Sequence, residues 1–402
     1  MRSKPAREAP APRSAQSRNG AAAGRGLRLT PGLYVLQTQP GFEAVALEEA
    51  AALAGASPKA DGASGRARNA VAFKAVGRRT VPRRSGMALI RLARPEALAF
   101  GRTFEDAFAL VGYCAVAQQG RAALLKVQSA ASDAAFIDRA LATKGRLSPG
   151  GRAGHRLRFR VVARLAGRTD FLRRDLRRAV EDGICRRADR AWRMVEERPD
   201  VEFWATMLGE EFFLALRLSG PHAQRSESLA VQRPAALRPS VGAALAWLSN
   251  PAPDDVVLDP MCGTGSLMIE RARLGRYAML LGGDLAPQAV AAARANLGHR
   301  YKPCGLARWD ARQLPLRDQS VSKLLCNLPW GLTHGTAADN RLLYPALLQE
   351  FIRVLQPGGR MVLLTAEGSL MRKLWSSRLL TPERLLHVTI LGRPAQVYAL
   401  RR

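Results

Sequence analysis

The sequence predicts an α/β protein whose second half is an open, mostly parallel sheet, preceded by an α+β first half. Three observations predict it. The stretch Asp254 to Glu270 runs through a short apolar segment, turns through two glycines and then takes up helical spacing, which reads as a buried strand, a tight loop and a helix. Beyond it, short apolar runs alternate with helical stretches, as βα units do. Before it, strands and helices follow one another in a shorter, arginine-dense arrangement.

At 402 residues the chain is long enough for two or three domains, and its 47% apolar content is ordinary for a globular protein. No apolar run is long enough to span a bilayer. The five cysteines, Cys114, Cys185, Cys262, Cys304 and Cys326, show no C-x-x-C spacing. That argues against structural zinc and a disulfide framework, and fits a reducing cytoplasm. The formal charge of +29 and pI near 11.3 imply a polyanionic partner, most simply nucleic acid.

Residues 1–28 are rich in Ala, Pro, Arg, Ser and Gly and cannot build a core, so a solvated basic arm is expected. Residues 29–120 form a first unit. Leu33 to Thr38 reads as a strand, Gly41 breaks it, and Phe42, Val45, Ala46, Leu47 and Ala50 carry helical spacing. Val71 to Ala75 and Met87 to Leu92 read as further strands, followed by Arg102 to Phe108. Residues 121–220 form a second unit: a helix over Asp133 to Leu141, then Arg156 to Val162 alternating basic and apolar side chains like a half-buried strand. A helix over Phe171 to Cys185 clusters Arg173, Arg174, Arg177 and Arg178, and a strand pair closes around Gly209. Residues 221–236 read as a polar linker.

The region 237–402 carries the chemistry. A helix starts near Pro239 and Ser240 and runs through Leu248. Ser266 is placed to cap the helix after the glycine loop. Ala278 to Asp284 reads as a second strand ending in an acid, Pro287 to Leu297 as an Ala-rich helix, and Leu306 to Asp310 as a third strand. Lys323 to Cys326 is a fourth, running into Asn327-Leu328-Pro329-Trp330. Leu342 to Leu355 is a helix stopped by Pro357-Gly358-Gly359, Met361 to Thr365 is a fifth strand, and Leu385 to Leu391 with Gln396 to Leu400 makes a terminal hairpin.

Two motifs narrow the function. The first loop holds only G-x-G, with an acid at the strand end and no following Lys; that is a poor phosphate cradle and suits a cofactor with a cationic, hydroxyl-bearing head. The segment Asp259-Pro260-Met261-Cys262-Gly263-Thr264-Gly265-Ser266 resembles the first motif of S-adenosylmethionine-dependent methyltransferases acting on nucleobase amino groups. Asn327-Leu328-Pro329-Trp330 is similar to the [DN]-x-P-[FWY] motif of the same enzymes. The residue types fit the chemistry, because an aryl amine is a weak nucleophile. An amide oxygen and an adjacent carbonyl can each accept one N–H and aim the nitrogen lone pair, while an aromatic face receives the base.

Pro40-Gly41-Phe42-Glu43 and Arg102-Thr103-Phe104-Glu105-Asp106-Ala107-Phe108 resemble the ferredoxin-like domain that opens one group of tRNA methyltransferases. The order of elements over 121–220 resembles a THUMP domain, which binds RNA. Together these resemble the THUMP-containing tRNA guanine-N2 methyltransferases over roughly residues 30 to 402, with departures at Met261 (often aromatic) and Leu328 (often Pro). The resemblance implies a Rossmann-like class I methyltransferase domain behind ferredoxin-like and THUMP domains. It implies S-adenosyl-L-methionine held by Asp259, Pro260, Gly263, Gly265, Asp284, Leu285, Asp310, Asn327 and Ser240, with Asp284 on the ribose and Asp310 on the adenine. Catalysis falls to Asn327, Leu328, Pro329 and Trp330, and RNA binding to Arg173, Arg174, Arg177 and Arg178. A monomer that needs no metal or membrane and acts on structured RNA, most simply tRNA, is expected. Methylation of another RNA, of adenine or of DNA, and a non-catalytic RNA-binding protein on a vestigial fold, are the competing readings.

Overall fold

The structure is a computed structural model. It describes residues 27, 29–55, 70–71, 85–117, 119–147, 156–219, 230–231, 237–331, 337–375 and 380–402. The expected basic arm (apart from Leu27), most of the expected linker and the expected strand beyond Val71 lie outside the described residues.

The first half is built on one eight-stranded sheet. Its elements are β1 (Leu33–Gln37), α1 (Glu43–Leu53), β2 (Ala70–Val71), β3 (Met87–Arg91), a 3₁₀ turn (Pro95–Phe100), β4 (Asp106–Ala115), α2 (Gly120–Ser132), α3 (Ile137–Leu147), β5 (Arg156–Ala166), α4 (Arg173–Cys185), β6 (Ala191–Met194), β7 (Val201–Leu208) and β8 (Glu211–Arg217). The strand order is β2-β3-β1-β4-β8-β7-β5-β6. The two units expected before and after residue 120 therefore share a sheet, joined where β4 pairs antiparallel with β8 from Phe108↔Arg217 to Ala115↔Glu211. Ala46, Ala50, Val127, Ile137, Leu176 and Val180 from the four helices pack with Phe159, Phe203 and Leu214 on one face of it. The alternation read in β5 holds, with Leu157, Phe159 and Val161 buried and the intervening arginines outward.

The helix expected over Asp133 to Leu141 is corrected to two, α2 ending at Ser132 and α3 starting at Ile137. The stripe that buries α2 consists of Ala123, Val127 and Ala131. Small side chains at i, i+4 and i+8 leave little hydrophobic signal.

The second half is a seven-stranded sheet. It runs α5 (Pro239–Leu248), β9 (Val256–Asp259), α6 (Ser266–Arg273), β10 (Met279–Asp284), α7 (Pro287–Leu297), β11 (Cys304–Arg308), β12 (Val321–Asn327), α8 (Ala337–Val354), β13 (Leu355–Thr365), α9 (Gly368–Leu374), β14 (Thr381–Ile390) and β15 (Arg393–Arg401). The order is β11-β10-β9-β12-β13-β15-β14. The first five of these pair in parallel and β15 turns antiparallel against β13 and β14. Chain direction across the sheet reverses between β9 and β12, and the carboxyl ends of such a pair are where open α/β sheets bind ligands.

Four local readings are corrected. Gly265, not Ser266, is the N-cap of α6, in the left-handed conformation at φ 78°, so no side chain caps that helix. The third strand ends at Arg308; Trp309 and Asp310 belong to the turn after it, closed by a bridge from Asp310 to Gln313. The fourth helix starts at Ala337 and tolerates Pro345 inside it. Pro357-Gly358-Gly359 does not stop that helix but lies within β13, displaced from its partner β12 by a register shift between Val321 and Lys323.

The halves meet at a tight joint. Phe42 and Val45 of the first half are fully buried in the core of the second, beside Val241, Val388 and Ile390. The Pro40 carbonyl accepts the Thr389 N–H at 2.9 Å. Arg384 forks onto Glu48, and Arg102 onto Glu270. A Cβ on Gly41 (φ +102°) would lie 2.3 Å from the His387 carbonyl oxygen. Backbone strain and this overlap predict that Gly41→Ala costs at least about 1–3 kcal/mol. Thermal unfolding followed by near-UV dichroism checks this, a midpoint equal to that of the parent protein being the contrary result.

Candidate active site

The loop from β9 into α6 wraps a carboxylate that water does not reach. Asp259 is 2% exposed and accepts only a 3.2 Å bond from the Met261 N–H; among the described residues no cation pairs with it. Burial, assisted by the nearby Asp284 charge, pushes its carboxyl up to about 8. A carboxylate in that state favours a ligand that brings positive charge or hydrogen-bond donors. Gly263 (φ 54°) has nothing within 4 Å of where a side chain would begin, so the loop backbone stays open to a ligand. Gly265 is needed for its left-handed backbone and because a side chain would press on Leu297 and Ala293. The Pro260 carbonyl is taken by the Trp309 indole N–H at 2.9 Å.

Asp284 closes the end of β10. One carboxylate oxygen accepts the Gly263 N–H and the other the Ala286 N–H, each at 3.0 Å. Each keeps a lone pair for a further donor such as a hydroxyl. Leu285, the next residue, is 62% exposed. The pair Gly282-Gly283 lets Met268 and Trp309 lie directly on the strand, since side chains there would meet Met268 Sδ at 2.4 Å and the Trp309 ring at 2.3 Å. Two predicted positions are already engaged. Asp310 is held by Nε and Nη2 of Arg312, at 2.6–3.0 Å, and Arg312 lowers its pKa. Ser240, buried at the start of α5, donates to Glu105 of the first half at 3.4 Å, where Arg238 also pairs.

Asn327 sits at the carboxyl end of β12, the strand beside β9. Its Oδ1 accepts the Trp330 indole N–H at 3.1 Å. An indole N–H only donates, so Trp330 fixes which end of the amide faces it and leaves Oδ1 one more lone pair. The Leu328 side chain is buried and its N–H donates to the Leu364 carbonyl at 3.0 Å. The Pro329 carbonyl accepts from Tyr344 Oη at 2.7 Å and Asn340 Nδ2 at 3.1 Å, both on α8. Asn340 was missed in the sequence because the helix was read from Leu342, and Tyr344, inside that helix, because nothing local marks its partner; their i, i+4 spacing on one face is the signal that was there. Trp309 was missed likewise.

The four arginines of α4 do not share one environment. Arg173, Arg174 and Arg178 are exposed, Arg174 with only a loose 3.8 Å contact to Asp175. Arg177 pairs with both Glu181 and Glu196. Of the outward arginines of β5, Arg158 is paired by Asp200 and Arg160 by Glu202, while Arg164 lies over the Trp204 ring at 5.0 Å. No cluster of His, Cys, Asp and Glu among the described residues could hold a metal ion, and none of their helices is long and apolar enough to cross a membrane.

Residues 229–390 match the family described as RMKL-like, methyltransferase domain. The mouse tRNA (guanine(6)-N(2))-methyltransferase THUMP3 is 30% identical over 266 residues, covering 61% of this chain and 51% of that protein. A tRNA (guanine(6)-N2)-methyltransferase of Thermus thermophilus is 32% identical over 219 residues, 54% of this chain and 64% of that one. The chain thus spans about half the length, 51%, of the first curated relatives it matches. In three dimensions it is similar to the crystal structure of TrmN from Thermus thermophilus, at a TM-score of 0.69 and 26% identity over 92% of this chain and 99% of that one. That likeness takes in both sheets, and the family match covers the strand ends that carry Asp259 and Asn327: the second half of this chain has the Rossmann-like methyltransferase fold.

Proposed function

We propose that the protein is an S-adenosylmethionine-dependent RNA methyltransferase that methylates the exocyclic N2 amino group of a guanosine in tRNA. The observation that carries this reading is the pairing of two strand ends at the sheet's reversal point: a desolvated carboxylate, Asp259, beside an Asn-Leu-Pro-Trp turn whose amide oxygen is already oriented. The names of the mouse and Thermus relatives support the choice of guanine N2 and of tRNA.

S-adenosyl-L-methionine, when bound, supplies a methyl group on a positively charged sulfur. Asp259 and the Pro260 to Gly265 backbone take the cationic methionine end, near Ser240 at the start of α5. Asp284 takes the ribose hydroxyls with the lone pairs its backbone bonds leave free. Leu285 gives an apolar surface to the adenine, and Asp310, with Arg312 at its side, accepts from the adenine amino group. Asn327 Oδ1 and the Leu328 carbonyl accept the two N–H groups of the target amine and aim its lone pair, and the Trp330 ring receives the base. Asn327 is an amide, so it orients the amine without removing its proton, which leaves to solvent after transfer. The eight-stranded sheet, with ferredoxin-like and THUMP portions either side of residue 120, presents Arg173, Arg174 and Arg178 to RNA phosphates; Arg177 braces the helix. With its cysteines all unpaired, the chain suits a reducing cytoplasm, and we place it there as a monomer.

The test is methyl transfer to a purified tRNA pool, with N2-methylguanosine read by mass spectrometry. Asn327→Ala is expected to lower the rate by at least about 100-fold, the scale of losing one oriented polar group, while binding of S-adenosylhomocysteine stays near that of the parent. N2-methylguanosine absent from every RNA tried would sink the reading.

Asp259 makes a second prediction. Its folded-state value of about 8 lies above the unfolded value of about 3.9, so the native protein retains a proton that the unfolded chain releases. The stability this contributes is full below about pH 4 and is lost as pH rises through about 8. Asp259→Asn is therefore expected to be more stable than the cofactor-free parent above pH 8, and to bind S-adenosylhomocysteine at least about ten-fold more weakly. Denaturant midpoints across pH and calorimetric titration check the two halves of this statement.

For the RNA face, Arg174→Ala with Arg178→Ala should weaken tRNA binding and flatten its salt dependence by up to about two units of slope. Filter binding at several salt concentrations measures it; an unaltered slope returns both side chains to a solvated face.

A further inference from the structure

Building on the proposed reaction, we infer that Tyr344 and Asn340 of α8, backed by Thr365 at the end of β13, are positioning residues for it: they clamp the Pro329 carbonyl and so set the turn that presents Asn327, the Leu328 carbonyl and Trp330.

The hydrogen bonds fix the direction of every proton. A carbonyl can only accept, so Tyr344 donates to Pro329 O at 2.7 Å, and Asn340 Nδ2 donates to the same oxygen at 3.1 Å. Both lone pairs of that carbonyl are then engaged. With its proton committed, the Tyr344 oxygen must accept from Thr365 Oγ1, 2.8 Å away. Thr365 Oγ1 in turn accepts the Glu367 N–H at 2.8 Å. The result is a one-way relay from the backbone after β13 to the turn after β12. All three side chains are out of water, Asn340 at 1% exposure and Tyr344 and Thr365 at 0%. Burial also raises the Tyr344 phenol above its ordinary value, which keeps it a donor. In such surroundings a missing partner is costly, so the carbonyl stays where the clamp puts it.

The clamp acts on the reacting groups through one residue. On one side of Pro329, the Leu328 N–H is pinned to Leu364 O; on the other, Trp330 holds Asn327 Oδ1. Pro329 fixes its own φ, so its carbonyl is the point at which the turn can be rotated or held. Releasing it frees the Leu328 peptide plane and the Trp330 ring together. The contact is polar rather than space-filling: Tyr344→Phe keeps the ring in the core cluster with Leu347, Phe351 and Leu363 and deletes only the hydroxyl, the donor to Pro329 and the acceptor from Thr365.

The experiment uses the full chain with Tyr344→Phe, Asn340→Ala and the pair, with Thr365→Val and Thr365→Ser as relay variants. Single-turnover transfer to tRNA is measured beside tRNA KM, S-adenosylhomocysteine affinity, thermal midpoint, and solvent exchange of the Trp330 indole proton by NMR, assigned with Trp330→Phe. Because two bonds hold one carbonyl, each single variant should lose modestly and the pair about 100-fold, the cost of a displacement near 1 Å. KM and S-adenosylhomocysteine affinity should stay within about two-fold, as expected for an interaction felt only in the transition state. Thr365→Ser should keep the rate and Thr365→Val lower it, and indole exchange should quicken in the pair. A pair that transfers at the parent's rate overturns the clamp, as does a loss that follows cofactor affinity or the thermal midpoint. If the parent methylates no RNA, the proposed reaction fails, but indole exchange still decides the clamp: no change in the pair overturns it.

Discussion

Removing Asp259 from water is the costly act on which the second half of this molecule is arranged. A carboxyl group with one backbone bond and, among the described residues, no cation is an unfavourable thing to bury, and the sheet buries it, holding its proton, at the end of β9. The features around it follow from that. The glycine turn stays bare so that a ligand can reach the carboxylate. Asp284 spends one lone pair holding the glycine turn through Gly263 and one on the turn after β10 through Ala286, and Trp309 secures the Pro260 carbonyl. The reversal of strand order then sets Asn327 on the adjacent strand, so two loops that need to share a ligand emerge side by side without either having to be long.

Much of that site is legible in the sequence, and the reason is contiguity. D-P-M-C-G-T-G and N-L-P-W are short, and each residue in them is demanded by chemistry or by backbone conformation rather than by a distant neighbour. The missed groups have the opposite character. Trp309 reaches Pro260 across 49 residues, and Tyr344 reaches Pro329 across 15. Nothing local marks such partners. Single-sheet continuity in the first half was invisible for the same cause, since β4 and β8 pair at positions roughly a hundred residues apart. Periodicity failed where side chains were small, as in α2.

Net charge overstates what is available for a polyanion. Of the arginines that make the first half basic, Arg158, Arg160, Arg177 and Arg217 all have acid partners, several of them buried. Arg271, wholly buried against Asp255, belongs to the core of the second half. On the outward face of β5, which in sequence looks like a strip of free cations, Arg158 and Arg160 are neutralised by Asp200 and Glu202. The start of α4, with Arg173, Arg174 and Arg178 exposed, keeps its charge available, so the field that would guide a nucleic acid is patterned rather than uniform.

Gly41 and its surroundings carry a consequence for exchanging parts between relatives. The turn is shaped to the backbone at His387, and Glu48 and Arg102 are matched to Arg384 and Glu270 on the far side. A chimera that took its front half from one homologue and its rear half from another would inherit two half-joints cut to different templates. Such a hybrid would need these facing positions transplanted as a set before either parent's specificity could be compared on equal terms.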